Sequence, residues 1–170
     1  MGIGVGLKTK RQSLLCTLGA TLLLSACATP PHPSDESFHS LAADHRVRYE
    51  PGAENAANQV AELLPAAIQQ VEAAHGRAFL GEVTVHVCGT NDCFKRQVRT
   101  PNVSAATVPD NRVFLAPQLF GRETHRLSAI LTHELSHLHL GQQIGHYTAT
   151  VPAWFHEGLA AFAANGGGAD

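Results

Sequence analysis

Residues 55–74 place Val60, Leu63, Leu64, Ala67, Ile68 and Val71 at the three- and four-residue spacing of one helix face. The alanines around them favour that helix, Pro65 predicts a bend in it, and Gly76 is a natural stop. At residues 82–88 the period changes to two, with Val83, Val85 and Val87 alternating against Thr84, His86 and Cys88. This predicts a strand with His86 on its outer, polar face. Residues 103–108 and 112–116, parted by Pro109-Asp110-Asn111, read as strand, turn and strand. The strongest helical pattern is at 124–140, where Leu127, Ile130, Leu131, Leu135 and Leu138 form a stripe and Gly141 is placed to end it. A last helix starts near Pro152 and runs through Ala164 to the stop at Gly166-Gly167-Gly168. Helix, strand, hairpin, helix, helix is an α+β order, with a small mixed sheet packed on the helices.

Residues 1–26 have a different character: Lys8, Lys10 and Arg11 precede an apolar stretch from Leu14 to Leu24 that is too short to span a bilayer. The four residues Leu24-Ser25-Ala26-Cys27 resemble the bacterial lipobox, which implies cleavage before Cys27 and acylation of its thiol. The expected product is tethered to the lipid bilayer through Cys27, not spanning it, with the domain in the cell envelope facing the periplasm or the exterior. Ala28, in place of the aspartate that favours inner-membrane retention, leans toward the outer membrane. Residues 27–45, with Pro30, Pro31 and Pro33, read as the lipidated cysteine and a flexible linker, leaving 46–170 as one folded domain. In an oxidising compartment Cys88 and Cys93, five apart across a run of turn formers, are expected to form a disulfide; a pair of zinc ligands is the rival.

Charge narrows the partners. The whole chain has a formal charge of −2, but without the basic leader the remainder has 9 basic against 14 acidic side chains. That balance lacks the electrostatic footprint of a nucleic-acid binder. Histidine is the unusual count, at 11, with six between His125 and His156. Such a local cluster points to metal or proton chemistry.

The helix at 124–140 contains His133-Glu134-Leu135-Ser136-His137. One turn apart, His133 and His137 project from one face and can reach a single ion, while Glu134 is rotated by about 100° and flanks it. Zinc lowers the pKa of a bound water toward about 7, and a flanking carboxylate can carry its proton to a leaving amine. A catalytic zinc takes three protein ligands. Glu157, in Pro152-Ala153-Trp154-Phe155-His156-Glu157-Gly158-Leu159-Ala160, stands on the following helix; His146 and His156 are alternatives, and His139 points to another face, exposed or supporting a ligand.

The two motifs together, H-E-x-x-H followed after nineteen residues by glutamate, resemble the thermolysin-like gluzincins, in their peptidase MA-like branch. The resemblance covers residues 130–162. It implies a minimal zincin-like domain, one Zn2+ held by His133, His137 and Glu157, Glu134 as general base, and hydrolysis of a peptide or protein substrate in the envelope. In that family an edge strand above the active-site helix pairs with an extended substrate, which the small, uncharged run at 103–108 would suit; a plain core hairpin is the alternative. Two parts of the family pattern are missing. Ala161 stands where an aspartate would orient a zinc histidine, and no downstream histidine or tyrosine is present to stabilise an oxyanion, for which Tyr147, His146 or Arg126 would have to substitute. These gaps, and the abrupt ending at Asp170, keep open a chain cut short of a longer relative, a minimal domain completed by a partner, and a catalytically inactive zinc-binding module of the envelope.

Overall fold

A computed structural model describes residues 1–2, 37–100, 102–108 and 110–168, with only the backbone at 146 and 147; the leader and Cys27 lie outside the described residues. Five strands form one mixed sheet: β1 (His39–Ser40), β2 (Val47–Tyr49), β3 (Val85–Val87), β4 (Ala105–Val108) and β5 (Arg112–Leu115). Their spatial order is β1-β2-β3-β5-β4. β2, β3 and β5 run parallel, with Val47 opposite Val85 and Val85 opposite Val113. β1 and β4 are the antiparallel edges, and β4 is joined to β5 by a turn with Asn111 in the left-handed region, at φ 61°.

Four helices accompany the sheet: α1 (Glu54–His75), α2 (Asn91–Gln97), α3 (Leu127–Ile144) and α4 (Ala153–Ala163). α1 forms where the apolar spacing predicts it and continues through Pro65, burying Ala57, Val60, Leu64, Ala67 and Val71. α3 differs from its predicted single stripe, since Thr132, His133, Glu134, Ser136 and His139 are buried along with the leucines. It lies between α1, α4 and the β4–β5 hairpin, so its polar residues face protein on several sides. It also passes through Gly141 instead of ending there; the stop is Gly145, at φ +56°, a conformation costly for any residue with a Cβ. The core joins Val47, Val85, Val113 and Leu115 of the sheet to Leu64, Leu131, Leu135 and Leu138 of the helices. Truncating any of these leucines to alanine is expected to cost about 2–5 kcal/mol.

Three expectations need correction. Residues 38–45, placed in the linker, belong to the fold: Phe38 and Leu41 are buried and β1 pairs with β2. α2 forms inside the segment read as turn formers, because the Thr90 hydroxyl caps the Cys93 amide at 3.1 Å. His86 is fully buried, edge-on to Phe38 at 5.0 Å and stacked on Phe114 at 4.7 Å. The sheet's outer face is covered by a second core of Phe38, Cys88, Cys93, Phe94, Val98, Phe114 and Ala116, so β3 is buried on both faces. Cys88 and Cys93 are disulfide-bonded within this second core. Sheet, helices and both cores all fall within residues 38–168, and residues 31–170 form a compact unit with a core of their own.

Candidate metal centre

α3 presents His133 and His137 one turn apart, and α4 brings Glu157 across to them. His133 Nε2 lies 3.1 Å from His137 Nε2 and 3.2 Å from Glu157 Oε2, and His137 Nε2 lies 3.7 Å from Glu157 Oε1. A tetrahedral ion with bonds of about 2.0–2.1 Å spaces its ligand atoms by about 3.3 Å, so three such donors fit one metal ion. Among the described residues this is the one group of three or more ligating side chains able to hold a metal. His133 is buried, His137 partly buried and Glu157 exposed. The site therefore opens on the α4 side. Burial first, and the adjacent His133 second, push His137 down to about 4, which keeps its ring neutral with a lone pair to donate at neutral pH.

The other ligand alternatives separate on geometry. His156 Nε2 is 3.0 Å from the Thr148 carbonyl, to which it donates, and its ring is 6.3 Å from that of His137. The side chains of His146 and Tyr147 lie outside the description. Arg126, considered as an oxyanion donor, is paired with Glu123 at 3.2 Å. Gly168 closes over the buried ligand: at φ +87° its position has no room for a side chain, since a Cβ would meet that of His133 at 2.5 Å. His133 Nδ1 is buried and has no hydrogen-bond partner among the described residues. Residue 161, where the resemblance would place an orienting carboxylate, is alanine.

Glu134 is buried beside these ligands and is tied to the sheet edge. The Thr107 hydroxyl on β4 lies 2.9 Å from Glu134 Oε2 and 2.8 Å from the Glu134 carbonyl oxygen. Thr107 was not singled out in the sequence, and only its predicted place on the edge strand pointed toward it. Next to this contact a cleft of about 980 Å³ is lined by Thr107, Val108, Asn111, His137, Gly141 and Glu157, among others.

A second histidine group sits on another face of α3. His139 Nε2 is 3.0 Å from the Arg77 carbonyl, His139 Nδ1 is 2.8 Å from His75 Nδ1, and His75 Nε2 is 2.8 Å from Ser136 Oγ. A carbonyl only accepts, so the order of protons follows. His139 donates to Arg77, His75 donates to His139, and Ser136 donates to His75. His139 is thus buried and fully engaged, and the exposed alternative is corrected.

No family model, curated protein or solved structure matches the chain. The described residues define an α+β domain with a His-His-Glu group that can hold a metal ion. Among them no helix is long and apolar enough to cross a membrane.

Proposed function

We propose that the chain is a zinc-dependent peptidase, held to the cell envelope by an acylated Cys27. The observation that carries this reading is the convergence of His133, His137 and Glu157, of which His137 and Glu157 line an open cleft whose wall also holds Thr107, the hydrogen-bond partner of the buried Glu134 carboxylate. When bound, zinc supplies a Lewis acid and an acidified water at neutral pH. The remaining tasks belong to the chain. Glu134, oriented by Thr107, takes a proton from the attacking water and returns it to the leaving amine. β4, the antiparallel edge beside α3 among the described residues, offers a strand edge along which an extended peptide can add main-chain hydrogen bonds.

A second reading is a zinc-binding envelope module without turnover. The unpartnered His133 Nδ1, together with Ala161, favours it, because a ligand left unoriented costs about 10–100-fold in affinity or activity. One experiment separates the two. Residues 31–170 are purified, analysed for metal and assayed on casein and on a peptide library, alongside Glu134→Gln. One equivalent of zinc, with hydrolysis reduced about 10²–10⁴-fold in Glu134→Gln, supports the peptidase. Zinc without hydrolysis selects the module. A protein that binds no zinc overturns both.

A further inference from the structure

Net charge hides a strong segregation. From the start of α2 to the start of α3, residues 91–126, six cations (Lys95, Arg96, Arg99, Arg112, Arg122, Arg126) face three acids (Asp92, Asp110, Glu123), a local +3. The rest of residues 27–170 has three cations and eleven acids, or −8. The positive side of this division has a cleft of about 730 Å³ between α2, the start of β4 and the turns that precede α3. It shares no lining residue with the cleft at the candidate metal centre.

We propose that this second cleft binds a phosphate-bearing anion, held by Lys95, Arg99 and Arg122. All three side chains line it. Of the cations with ion-pair partners, Arg46 has Asp44, Arg96 has Glu50, Arg112 has Asp110 and Arg126 has Glu123, whereas Lys95 and Arg99 pair with no acid among the described residues. The one acid in the lining, Glu123, is already neutralised: it accepts the Ser104 hydroxyl at 2.8 Å and Arg126 at 3.2 Å, with Arg122 at 3.5 Å. Arg122 itself stays largely exposed at the rim, and with Glu123 shared between it and Arg126 the lining keeps a net positive charge.

The wall carrying Lys95 is cross-linked to the sheet. Cys93 ties α2 to the strand end at Cys88, and Glu50 accepts the Gly89 and Thr90 amides, each at 2.9 Å. Buried Phe94 and Val98, which also line the cleft, back this wall on the second core. Two guanidinium forks and an ammonium around one volume suit a multivalent oxyanion, which can accept several charge-assisted hydrogen bonds at once; a single carboxylate would leave part of the charge unmatched. Three cations are too few for a nucleic-acid track, which neutralises a run of phosphates. The phosphate can be soluble or part of a lipid headgroup, and the two sources are separable.

The test uses residues 31–170. Calorimetry with inorganic phosphate and pyrophosphate probes the soluble source. Cosedimentation with vesicles of phosphatidylcholine, alone or mixed with phosphatidylglycerol, probes the headgroup. Two double variants remove equal charge: Lys95→Gln with Arg99→Gln in the cleft, and Arg46→Gln with Arg77→Gln outside it. Binding in either arm is expected to weaken by about tenfold or more in the cleft variant and to change little in the control. Unchanged zinc content and thermal midpoint in both variants show that they fold. Absence of binding in both arms, or an equal loss in the two variants, overturns the proposal.

Discussion

α3 carries two histidine groups built from the same residue type, and they differ in where their protons can go. Around His75, Ser136 and His139 each ring nitrogen has a partner, and the chain closes on the Arg77 carbonyl. It is a finished hydrogen-bond network that joins the end of α1 to the middle of α3. Around His133, His137 and Glu157, two Nε2 atoms and the carboxylate converge, and His133 Nδ1 has no hydrogen-bond partner among the described residues. With the proton of a ring on Nε2 the group satisfies itself by hydrogen bonds; with the Nε2 lone pairs turned inward beside the carboxylate it is a set that can hold a metal ion. Burial disfavours a second proton on His137, so its ring is neutral at neutral pH and able to ligate a metal ion. Histidine count alone cannot tell these groups apart; the partners of each ring nitrogen can.

The sharpest way to break this comparison is to remove one histidine from each group. His137→Ala is expected to reduce zinc from one equivalent to near none, with modest change in the stability of the metal-free protein. His139→Ala is expected to do the reverse. It opens a cavity beside Phe79, whose ring is 4.8 Å away, and leaves the His75 Nδ1 proton without its acceptor. A loss of about 2–4 kcal/mol in denaturant unfolding, with zinc stoichiometry kept, is the expected result. Zinc loss in His139→Ala would merge the two groups into one site.

Acid sharpens the same contrast by a smaller amount. Burial, and next the neighbouring His139, hold His75 down to about 4 against an ordinary value near 6.5. Between these pH values the unfolded chain binds a proton at this position that the folded chain refuses. Stability therefore rises with pH across that window: the contribution is fully present above about 6.5, is lost as pH falls toward 4, and is flat below. Because the ring is partly open to solvent, the contribution is discounted to about 1–2 kcal/mol. Unfolding of the metal-free protein at a series of pH values should show this slope in the wild type and a reduced one in His75→Gln.

How far the sequence revealed these features depended on whether the signal was local. Helical spacing marked α1 and α3, Pro152 and the glycine stop marked α4, alternation marked β3, and the turn residues marked the β4–β5 hairpin. His133, Glu134 and His137 were legible because a helix brings residues four apart onto one side. Glu157 became legible only through the fixed spacing of two motifs. β1 and β2 escaped because, unlike β3 within its longer alternating run, neither lies in a long alternating stretch of apolar residues, and α2 because its Thr90 cap also reads as a turn. His86 was misplaced because alternation shows which face a side chain takes, not whether a second layer covers that face. The His75–His139 contact spans 64 positions and the Thr107–Glu134 contact 27, and no local pattern records either pairing.

The smallest expected effect tests whether the His75 network is a chain or a set of separate bonds. Ser136 is buried, and its hydroxyl reaches His75 Nε2 at 2.8 Å. Ser136→Ala removes the donor and leaves an acceptor on a ring that water can partly reach, so the cost is expected to be about 1 kcal/mol. If the proton order is the one fixed by Arg77, the same substitution in a His75→Gln background should cost measurably less, with a coupling of about 0.5–1 kcal/mol. Additive losses in that double-mutant cycle would show that Ser136 spends its hydroxyl elsewhere. The network would then end at His75, and the clamp between α1 and α3 would rest on the two rings alone.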